Sequence, residues 1–460
     1  MGNNVKAGAR TQRRSRRLVI VAAAVVLALL ALAAAHQVRT AWNIGVAYRY
    51  ALPLYEVMRL RYTTVYDPSN PHRVGANHFA HKRSLAGPQD RLVTMPNNDT
   101  LYSLAVLDLS SGPVRLEVPD SGGRYYSAAL MDAYTNNFSV ISRRTTDGHA
   151  AAFLISGPGW AQDNDPAGAQ PIRAPTNTVL LLVRVLVDGP DDLAAAGAVQ
   201  EGFKLSGPPL SSRGVAPPLA PQQDDAVNFV DVVNRALADN PPPRDNAPML
   251  AQVERVGMVP GTGTLPPSLA GKWQRDLPLA QKLLARAVAR PRKLIQGWAY
   301  APPDTGHFGT DYDVRAAIAL VGLLALPPEE AMYTSAWTDA QGGAFDGAHR
   351  YRLHLPPEGV PVDGFWSLSL YTVETDGRAF FADNPLHRYA IGDRTPGLKK
   401  NADGSIDLLI QHDSPDAAQQ ANWLPAPAGS FRLVMRAYEP RLPLLKGEFR
   451  YPAVEQVNPR

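Results

Sequence analysis

The feature that most constrains this chain is an uninterrupted apolar run close to its N-terminus. Leu18 to Ala35 contains eighteen residues without a charge, and a basic stretch from Lys6 to Arg17 precedes it. A helix of this length just spans the hydrocarbon core of a bilayer. Because a basic flank favours the cytoplasmic side, we expect a single-pass inner-membrane protein whose bulk is periplasmic or otherwise extracytoplasmic. Residues 1–36 would then form a cytoplasmic basic tail and a signal anchor.

A cleaved signal peptide is the alternative to the signal anchor. Ala33-Ala34-Ala35 offers the small residues that signal peptidase requires. The apolar run is long for a signal peptide, however, and residues 41–62 have the apolar spacing of a continuing helix. The sequence therefore favours an uncleaved anchor.

The composition indicates a folded chain that is rich in turns. Hydrophobic residues make up 45% and charged residues 19% of the 460 residues. The 36 glycines and 42 prolines exceed their usual combined share of about 12%, which favours short strands over long helical bundles. The net charge of +4 is accounted for by the N-terminal basic residues, so a nucleic-acid partner is not expected. The absence of cysteine excludes disulfides, thiolate metal sites and a cysteine nucleophile.

Hydrophobic periodicity divides the remainder of the chain into three parts. Residues 37–200 begin with a helical segment and continue as a series of strands, so they are expected to form a first β domain. Residues 201–335 carry apolar residues at three- and four-residue spacing and are expected to form a helical linking region. The strand pattern returns in residues 336–460, the expected second β domain. The strands alone predict a sandwich or a barrel in each β domain.

The most unusual short motif is Met95 to Ser103, which reads MPNNDTLYS. Asn and Asp favour turns, so one interpretation is a tight connection between two strands. The functional interpretation is a polar pocket floor in which Asn97, Asn98 and Asp99 bind a hydroxylated or anionic ligand.

Two carboxylates are the candidates for acid/base catalysis. Asp99 and Asp132 both neighbour strand-like segments, and paired carboxylates carry out most glycoside hydrolysis. The alternative for each is a turn or cap acceptor. No cofactor is predicted from the sequence; a divalent metal remains an alternative because His78 and His81 are three residues apart, although this spacing is not diagnostic.

A third candidate is an anion-binding cluster. Arg124 and Tyr126, together with Arg143 and Arg144, surround one expected hairpin, and arginine binds carboxylates and phosphates bidentately. A cross-strand ladder of tyrosine and arginine on a sheet surface is the alternative. We expect Asn98, Asp99 and Arg124 to share one polar pocket.

Several motifs in order carry a family resemblance. The motifs are Asn77-His78-Phe79, Pro96 to Tyr102, Gly123 to Tyr126, Gly157 to Trp160 and Ala174 to Asn177 in the N-terminal part, and Asp346-Gly347, Phe365 to Leu368, Asn384 to Tyr389, Asp403 to Ser405 and Asn422 to Pro427 in the C-terminal part. The N-terminal part resembles the bacterial domain of unknown function 1254, and the C-terminal part resembles its usual companion, the domain of unknown function 1214. The resemblance implies two jelly-roll-like antiparallel β domains separated by helices, in proteins that are often exported. It implies no reaction.

Two functions therefore stay open at this point. One is an enzyme, of hydrolase or lyase type, that acts on a polar carbohydrate-like or carboxylated substrate. The other is a non-catalytic cell-envelope binding or assembly protein. Both predict a small polar ligand or glycan as the partner, with the membrane bound through the N-terminal helix. Neither determines whether the chain forms a homo-oligomer.

Overall fold

The computed structural model describes residues 3–91, 94–160, 168–208, 219–222, 224–261, 263, 265–290, 293–375 and 377–457, with side chains from residue 20 onward apart from that of Pro190. These residues form both helices and strands. The α-helices are α1 (Asn3–Arg61), α2 (Arg143–Thr146), α3 (Leu193–Gly202), α4 (Ala226–Asp239), α5 (Ala247–Val253), α6 (Pro267–Ala289), α7 (Tyr312–Gly322) and α8 (Leu442–Leu445).

The strands form two groups, which precede and follow the helical region in sequence. The first group comprises β1 (Ala80–Lys82), β2 (Thr100–Asp108), β3 (Val114–Val118), β4 (Tyr126–Met131), β5 (Asn137–Ser142), β6 (Ala151–Ser156), β7 (Gln170–Arg173), β8 (Thr178–Leu186) and β9 (Lys204–Ser206). The second comprises β10 (Trp298–Tyr300), β11 (Ala331–Ala336), β12 (Arg350–Leu355), β13 (Trp366–Val373), β14 (Ala379–Phe380), β15 (Ala390–Gly392), β16 (Ile406–Gln411), β17 (Trp423–Pro425), β18 (Phe431–Tyr438) and β19 (Val454–Val457).

Each group folds into two sheets in which most strand pairs are antiparallel. Sheet 1 has the order β1-β2-β8-β4-β5, and sheet 2 has the order β7-β6-β3-β9. Sheet 3 has the order β10-β11-β18-β13-β14 with β15 beside β13, and sheet 4 has the order β17-β16-β12-β19. The parallel pairs are β6 with β7 and β16 with β17. These orders establish a mixed fold of helices and largely antiparallel sheets, and leave the jelly-roll connectivity unconfirmed.

Strand β8 shows why sheet 1 is buried on both faces. Val179, Leu181, Val183 and Val185 all belong to the apolar core between sheets 1 and 2. The alternate residues point to the opposite face, because side chains alternate along a strand. All nine residues of β8 are buried, so a second layer must cover that opposite face.

The covering layer has two parts, helices and sheet 3. A single apolar core contains Leu180 and Leu186 of sheet 1, residues of α4 and α6, and Tyr438 of sheet 3. The rings of Tyr125, beside β4, and Tyr438 lie 5.1 Å apart in an edge-on arrangement. We call the contact between the outer faces of sheets 1 and 3 the interdomain seam.

The helices pack around the second half of α1. Helices α4, α5, α6 and α7 all contact α1, and Trp273 of α6 lies 6.0 Å from Phe229 of α4, centroid to centroid. Phe229 in turn packs on Tyr55 of α1 at 4.7 Å. The helices therefore form a layer around α1, and the predicted linking segment between two β domains is not confirmed.

The two halves of α1 differ in their exposure to solvent. Residues 20–39 are exposed throughout, whereas burial begins at Thr40 and continues through Pro53, which does not interrupt the helix. By length and composition, α1 is able to cross a membrane. One continuous helix thus carries both the apolar segment and a large part of the core of the helical layer.

We predict that two N-terminal truncations have opposite effects on folding. Removal of residues 2–37 should leave a folded body, because residues 20–37 are exposed. Removal of residues 2–61 should abolish folding, because Ile44, Leu54 and Val57 are at most 1% exposed and burial of each such side chain stabilises the fold by about 1.5–3 kcal/mol. Circular dichroism and gel filtration of the two truncated proteins provide the test. A cooperative melt of the shorter protein would contradict the prediction.

Candidate functional site

The motif from Met95 to Asp99 lies across the outer face of sheet 3. Arg436 of β18, 4% exposed, holds it there. The guanidinium donates to the carbonyl oxygen of Met95 at 3.0 Å and to the hydroxyls of Ser369 and Tyr371 at 2.7 and 2.8 Å. Tyr371 donates in turn to the carbonyl oxygen of Pro96 at 2.6 Å. Sheet 3 therefore binds the backbone of this segment firmly.

The polar side chains of the motif make contacts within the protein. Asn97 donates from Nδ2 to the hydroxyl of Tyr438 at 2.7 Å, and Asn98 donates to the carbonyl oxygen of Ala86. Asp99 accepts from Ser367 Oγ at 2.6 Å. Side chains predicted to form a pocket floor thus join the segment to sheet 3 and to the loop before it.

Asp99 also belongs to a charged cluster at one end of β8. Arg394 donates to Asp99 Oδ1 at 3.2 Å and to the carbonyl oxygen of Val187 at 3.0 Å. Arg124 lies near the same end of β8, where it donates to the carbonyl oxygen of Leu186 at 2.8 Å and forms a bidentate ion pair with Asp192. The structure brings Asp99 and Arg124 to the same end of this strand, but each side chain has a different partner.

Tyr126 lies on the other side of sheet 1. Its ring packs 5.5 Å from Phe203 in the core between sheets 1 and 2, and its hydroxyl lies 2.5 Å from Thr146 Oγ1. Because side chains alternate along β4, Tyr126 faces away from the interdomain seam that Ser127 faces.

Asp132 lies at the far end of sheet 1 from Asp99. Thr100 pairs with Leu186, whereas Met131 pairs with Leu180, which places the two carboxylates about 20 Å or more apart along β8. This separation excludes them as a catalytic pair of the glycosidase type. Burial raises the pKa of Asp132.

The two arginines after β5 are also engaged across the seam. Arg143 forms an ion pair with Glu439, and Arg144 donates to Glu330 Oε2 at 3.3 Å. Glu330 additionally accepts from the hydroxyl of Tyr125 at 3.0 Å. The predicted anion-binding cluster of Arg143 and Arg144 is therefore already neutralised by carboxylates of the second domain.

Sequence reasoning missed Arg184, the buried charge in the middle of β8. The residue is 4% exposed and faces the interdomain seam, opposite Ser127 in the sheet register. Its Nη2 donates to the carbonyl oxygen of Leu324 at 2.8 Å, whereas Nε and Nη1 have no partner. The available signal was a single charge inside a continuous run of Val and Leu.

Tyrosine side chains lie near the Arg184 guanidinium. Its Cζ lies 5.5 Å from the ring centroid of Tyr102, and Tyr125, Tyr333 and Tyr438 complete its electrostatic surroundings. Burial raises the pKa of Tyr333, so this phenol is a neutral donor near pH 7. Tyr102 and Tyr333 are only partly buried although they neighbour fully buried Arg184.

We define the Arg184 site as Arg184, Ser127, Tyr102 and Tyr333. Ser127 Oγ is buried and unpartnered, like Arg184 Nε and Nη1. Among the described residues, no carboxylate lies within 4.0 Å of an Arg184 nitrogen, so the charge is not neutralised by an ion pair. Such a set of donors is suited to an anionic or carbonyl-bearing ligand.

The histidines do not assemble a metal centre in the described part of the chain. His78 Nδ1 lies 2.8 Å from the carbonyl oxygen of Ala76, and His81 Nδ1 lies 2.7 Å from Ser103 Oγ. No group of three or more His, Cys, Asp or Glu side chains among the described residues is arranged to hold a metal ion.

Fold and site together define a class of two-part proteins: paired antiparallel sheets, a helical layer and an apolar N-terminal helix, with a polar seam between the two parts. Residues 76–207 match the family described as "Protein of unknown function (DUF1254)", and residues 330–442 match "Protein of unknown function (DUF1214)". The chain belongs to the family of proteins that carry these two domains in this order, as the sequence motifs indicated. Arg184 lies in the first matched region and Tyr333 in the second, so the site draws on both.

The fold is similar to that of one solved structure in particular. The crystal structure of the VPA0106 protein from Vibrio parahaemolyticus is similar with a TM-score of 0.71 at 22% sequence identity, over 91% of this chain and 100% of that one. An uncharacterized protein from Burkholderia cenocepacia has a TM-score of 0.46 at 14% identity, over 92% of this chain and 96% of that one. No curated protein matches the sequence.

We predict a pH-dependent contribution to stability from Asp393, next to Arg394. Burial raises the pKa of Asp393 from 3.8 to about 6. The folded state then holds this proton more tightly than the unfolded state, so the contribution is full below about pH 4 and is lost as the pH rises through about 6. Urea unfolding of wild type and Asp393→Asn across this range, at constant ionic strength, measures it.

The difference in unfolding free energy between the two proteins isolates Asp393 from other titrating groups. The free energy of unfolding of wild type minus that of Asp393→Asn should decrease as the pH rises. A difference that is the same at both ends of the range would show that Asp393 does not titrate in this way.

Proposed function

We propose that this protein is a membrane-anchored, extracytoplasmic binding protein for a small carboxylate-bearing molecule, with Arg184 as the residue that binds the carboxylate. One observation carries the proposal. Arg184 is buried in the seam between the two parts of the protein, and two of its three nitrogens have no partner.

The energetic argument starts from the cost of a buried charge. A buried ion without a counter-ion costs several kcal/mol, even after the protein relaxes. Arg436 lies in the same seam and donates to several oxygens, so its burial is compensated. Arg184 donates to one carbonyl oxygen only. Proteins tolerate such a loss of stability where function needs a destabilised site, so Arg184 is a candidate ligand-binding residue.

The unused N–H groups of Arg184 also specify the ligand. Nη2 carries two N–H bonds and donates one of them to Leu324, while Nε and Nη1 on either side of it have no partner. One two-donor edge of the guanidinium is therefore unused, and such an edge binds the two oxygens of a carboxylate in a bidentate fork. Ser127 offers a further unpartnered hydroxyl nearby. A phosphate would bring a second negative charge to a site with one guanidinium, so a carboxylate is the better match.

The tyrosines favour a ligand that is also hydroxylated. Tyr102 presents its ring to the guanidinium, and the partly buried Tyr102 and Tyr333 provide phenol groups near it. Phenols donate to and accept from hydroxyl groups. Hydroxy acids and uronic acids combine both features and belong to the carboxylated, carbohydrate-like class that the sequence predicted.

The charge around the apolar helix supports an extracytoplasmic location. Basic residues precede the exposed apolar half of α1, and the folded body follows it. Treatment of intact spheroplasts with protease should therefore degrade the body from the outside. Protection of residues after His36 in spheroplasts, with degradation after lysis, would contradict this topology.

We predict that small carboxylates stabilise the full-length protein in detergent. The panel is acetate, malonate, succinate, lactate, citrate and galacturonate, at constant pH and ionic strength, with the melting temperature as the readout. A ligand present at about 100 times its dissociation constant adds about 2.7 kcal/mol of stability, enough for a clear shift. Arg184→Met should remove the shift, because the carboxylate then has no cation to bind.

Arg124→Met is the matched control. Arg124 was the arginine that the sequence predicted in the pocket, and Asp192 already neutralises it. This variant should keep the carboxylate response. A response that disappears in Arg124→Met but persists in Arg184→Met would move the site to the sequence-predicted position and overturn the proposal.

A catalytic function has one specific observation in its favour. Glu330 is fully buried, burial raises its pKa, and it accepts from Tyr125 within the same seam. A buried carboxyl group with a raised pKa is a candidate general acid. Mass spectrometry of each stabilising carboxylate after incubation with wild type and Glu330→Gln tests this. Turnover by wild type that Glu330→Gln loses would favour the enzyme, and recovery of the ligand unchanged would favour binding alone.

A further inference from the structure

A second buried arginine, remote from the Arg184 site, also lacks a counter-ion. Arg315 of α7 is 2% exposed. Its Nη2 donates to the carbonyl oxygen of Gly309 and, at 3.4 Å, to Asn136 Oδ1. Nε and Nη1 have no partner. The N–H bonds of these two nitrogens are therefore unused.

The nearest buried carboxylate does not neutralise it directly. Asp132 accepts from the backbone N–H groups of Tyr134 and Asn136, both at 2.9 Å, and from Asn136 Nδ2 at 3.1 Å. Among the described residues, no carboxylate oxygen lies within 4.0 Å of an Arg315 nitrogen. Asp132 stabilises Arg315 only through longer-range electrostatics.

Two further unpartnered groups belong to the same cluster. Tyr50 of α1 and Asn246, just before α5, are each 1% exposed and lie beside each other, but neither the Tyr50 hydroxyl nor Asn246 Nδ2 completes a well-formed hydrogen bond. Tyr312 donates to Asn246 Oδ1 at 3.0 Å, which leaves the amide nitrogen as the unused end. The Tyr312 ring lies 5.3 Å from the Tyr50 ring and 5.7 Å from Arg315 Cζ, so all three groups are neighbours.

The unused groups are all able to donate. A guanidinium and an amide nitrogen cannot accept a hydrogen bond, and a phenol donates readily. Phe308 and Tyr312 flank the guanidinium with their rings, and Arg315 itself is closed to solvent. Unused donors beside one unneutralised cation, all shielded from solvent, match a small monovalent anion.

We propose that Arg315, Asn246 and Tyr50 form a chloride-binding site within the helical layer. Chloride is small, monovalent and weakly hydrated compared with carboxylate or phosphate, and it accepts from each of these groups. The bound ion would link α1 to α7 and to the segment before α5. Chloride would thereby stabilise the attachment of the N-terminal helix to the body.

Full-length protein in detergent provides the test. The melting temperature is measured while chloride replaces gluconate at constant ionic strength, from low to high concentration. Occupancy of the site should raise the melting temperature of wild type by about 2 °C or more over a hundredfold increase in chloride. Tyr50→Phe should reduce that rise, because it removes one donor from the ion.

Tyr55→Phe is the matched control variant. Tyr55 lies on the same helix, is also 1% exposed and also has an unpartnered hydroxyl, but it packs on Phe229 outside the Arg315 cluster. Its chloride response should equal that of wild type. An equal reduction in both variants, or no chloride response in wild type, would overturn the proposal.

Bromide diffraction locates the ion without any variant. Crystals of the full-length protein grown with bromide in place of chloride should show an anomalous peak within about 3.5 Å of Arg315 Nη1, the reach of a hydrogen bond to a large anion. The absence of a peak there would overturn the site even if the melting temperature responds to chloride.

Discussion

The structure depends on one constraint: two β sheets bury their polar outer faces against each other. Buried polar groups are almost always paired, so each polar side chain in the interdomain seam requires a hydrogen-bond partner. Arg436 meets this requirement by binding Met95 and the hydroxyls of Ser369 and Tyr371. The contact with Met95 attaches the segment before β2 to sheet 3. Arg184, in the same seam, is the exception.

The need to pair buried polar groups in the interdomain seam also changes the interpretation of the motif from Met95 to Ser103. Short polar residues beside a strand predicted a ligand pocket, and these residues do lie close together in the structure. In the structure, Asn97 and Asp99 use that polarity to bind Tyr438 and Ser367, which belong to the second part of the protein. In a chain with two domains, a polar cluster is therefore as consistent with an interface between the domains as with a ligand-binding site. What distinguishes a site is a polar group that the seam leaves without a partner.

The sequence predicted the strands and the apolar helix because their periodicity is local, and family motifs gave the order of the two domains. It could not predict the site. Asp99 and Asp132 were paired because their segments are close in sequence, whereas the register of β2 and β4 on β8 places them at opposite ends. The packing of the helices around α1 was not predicted, because the partners of Tyr55 lie far along the chain. Arg184 was not predicted because it lies in the apolar strand β8, which is buried on both faces.

The comparison of two arginine variants tests the central claim most directly. Arg184→Met and Arg436→Met remove equally buried guanidinium groups from the same seam, and urea unfolding without added carboxylate measures their stability. If Arg184 is an uncompensated charge kept for a ligand, Arg184→Met should be at least as stable as wild type. Arg436→Met should lose about 2–5 kcal/mol, because it leaves buried oxygens unpaired. An equal loss in both variants would show that Arg184 is a structural residue and would contradict the account.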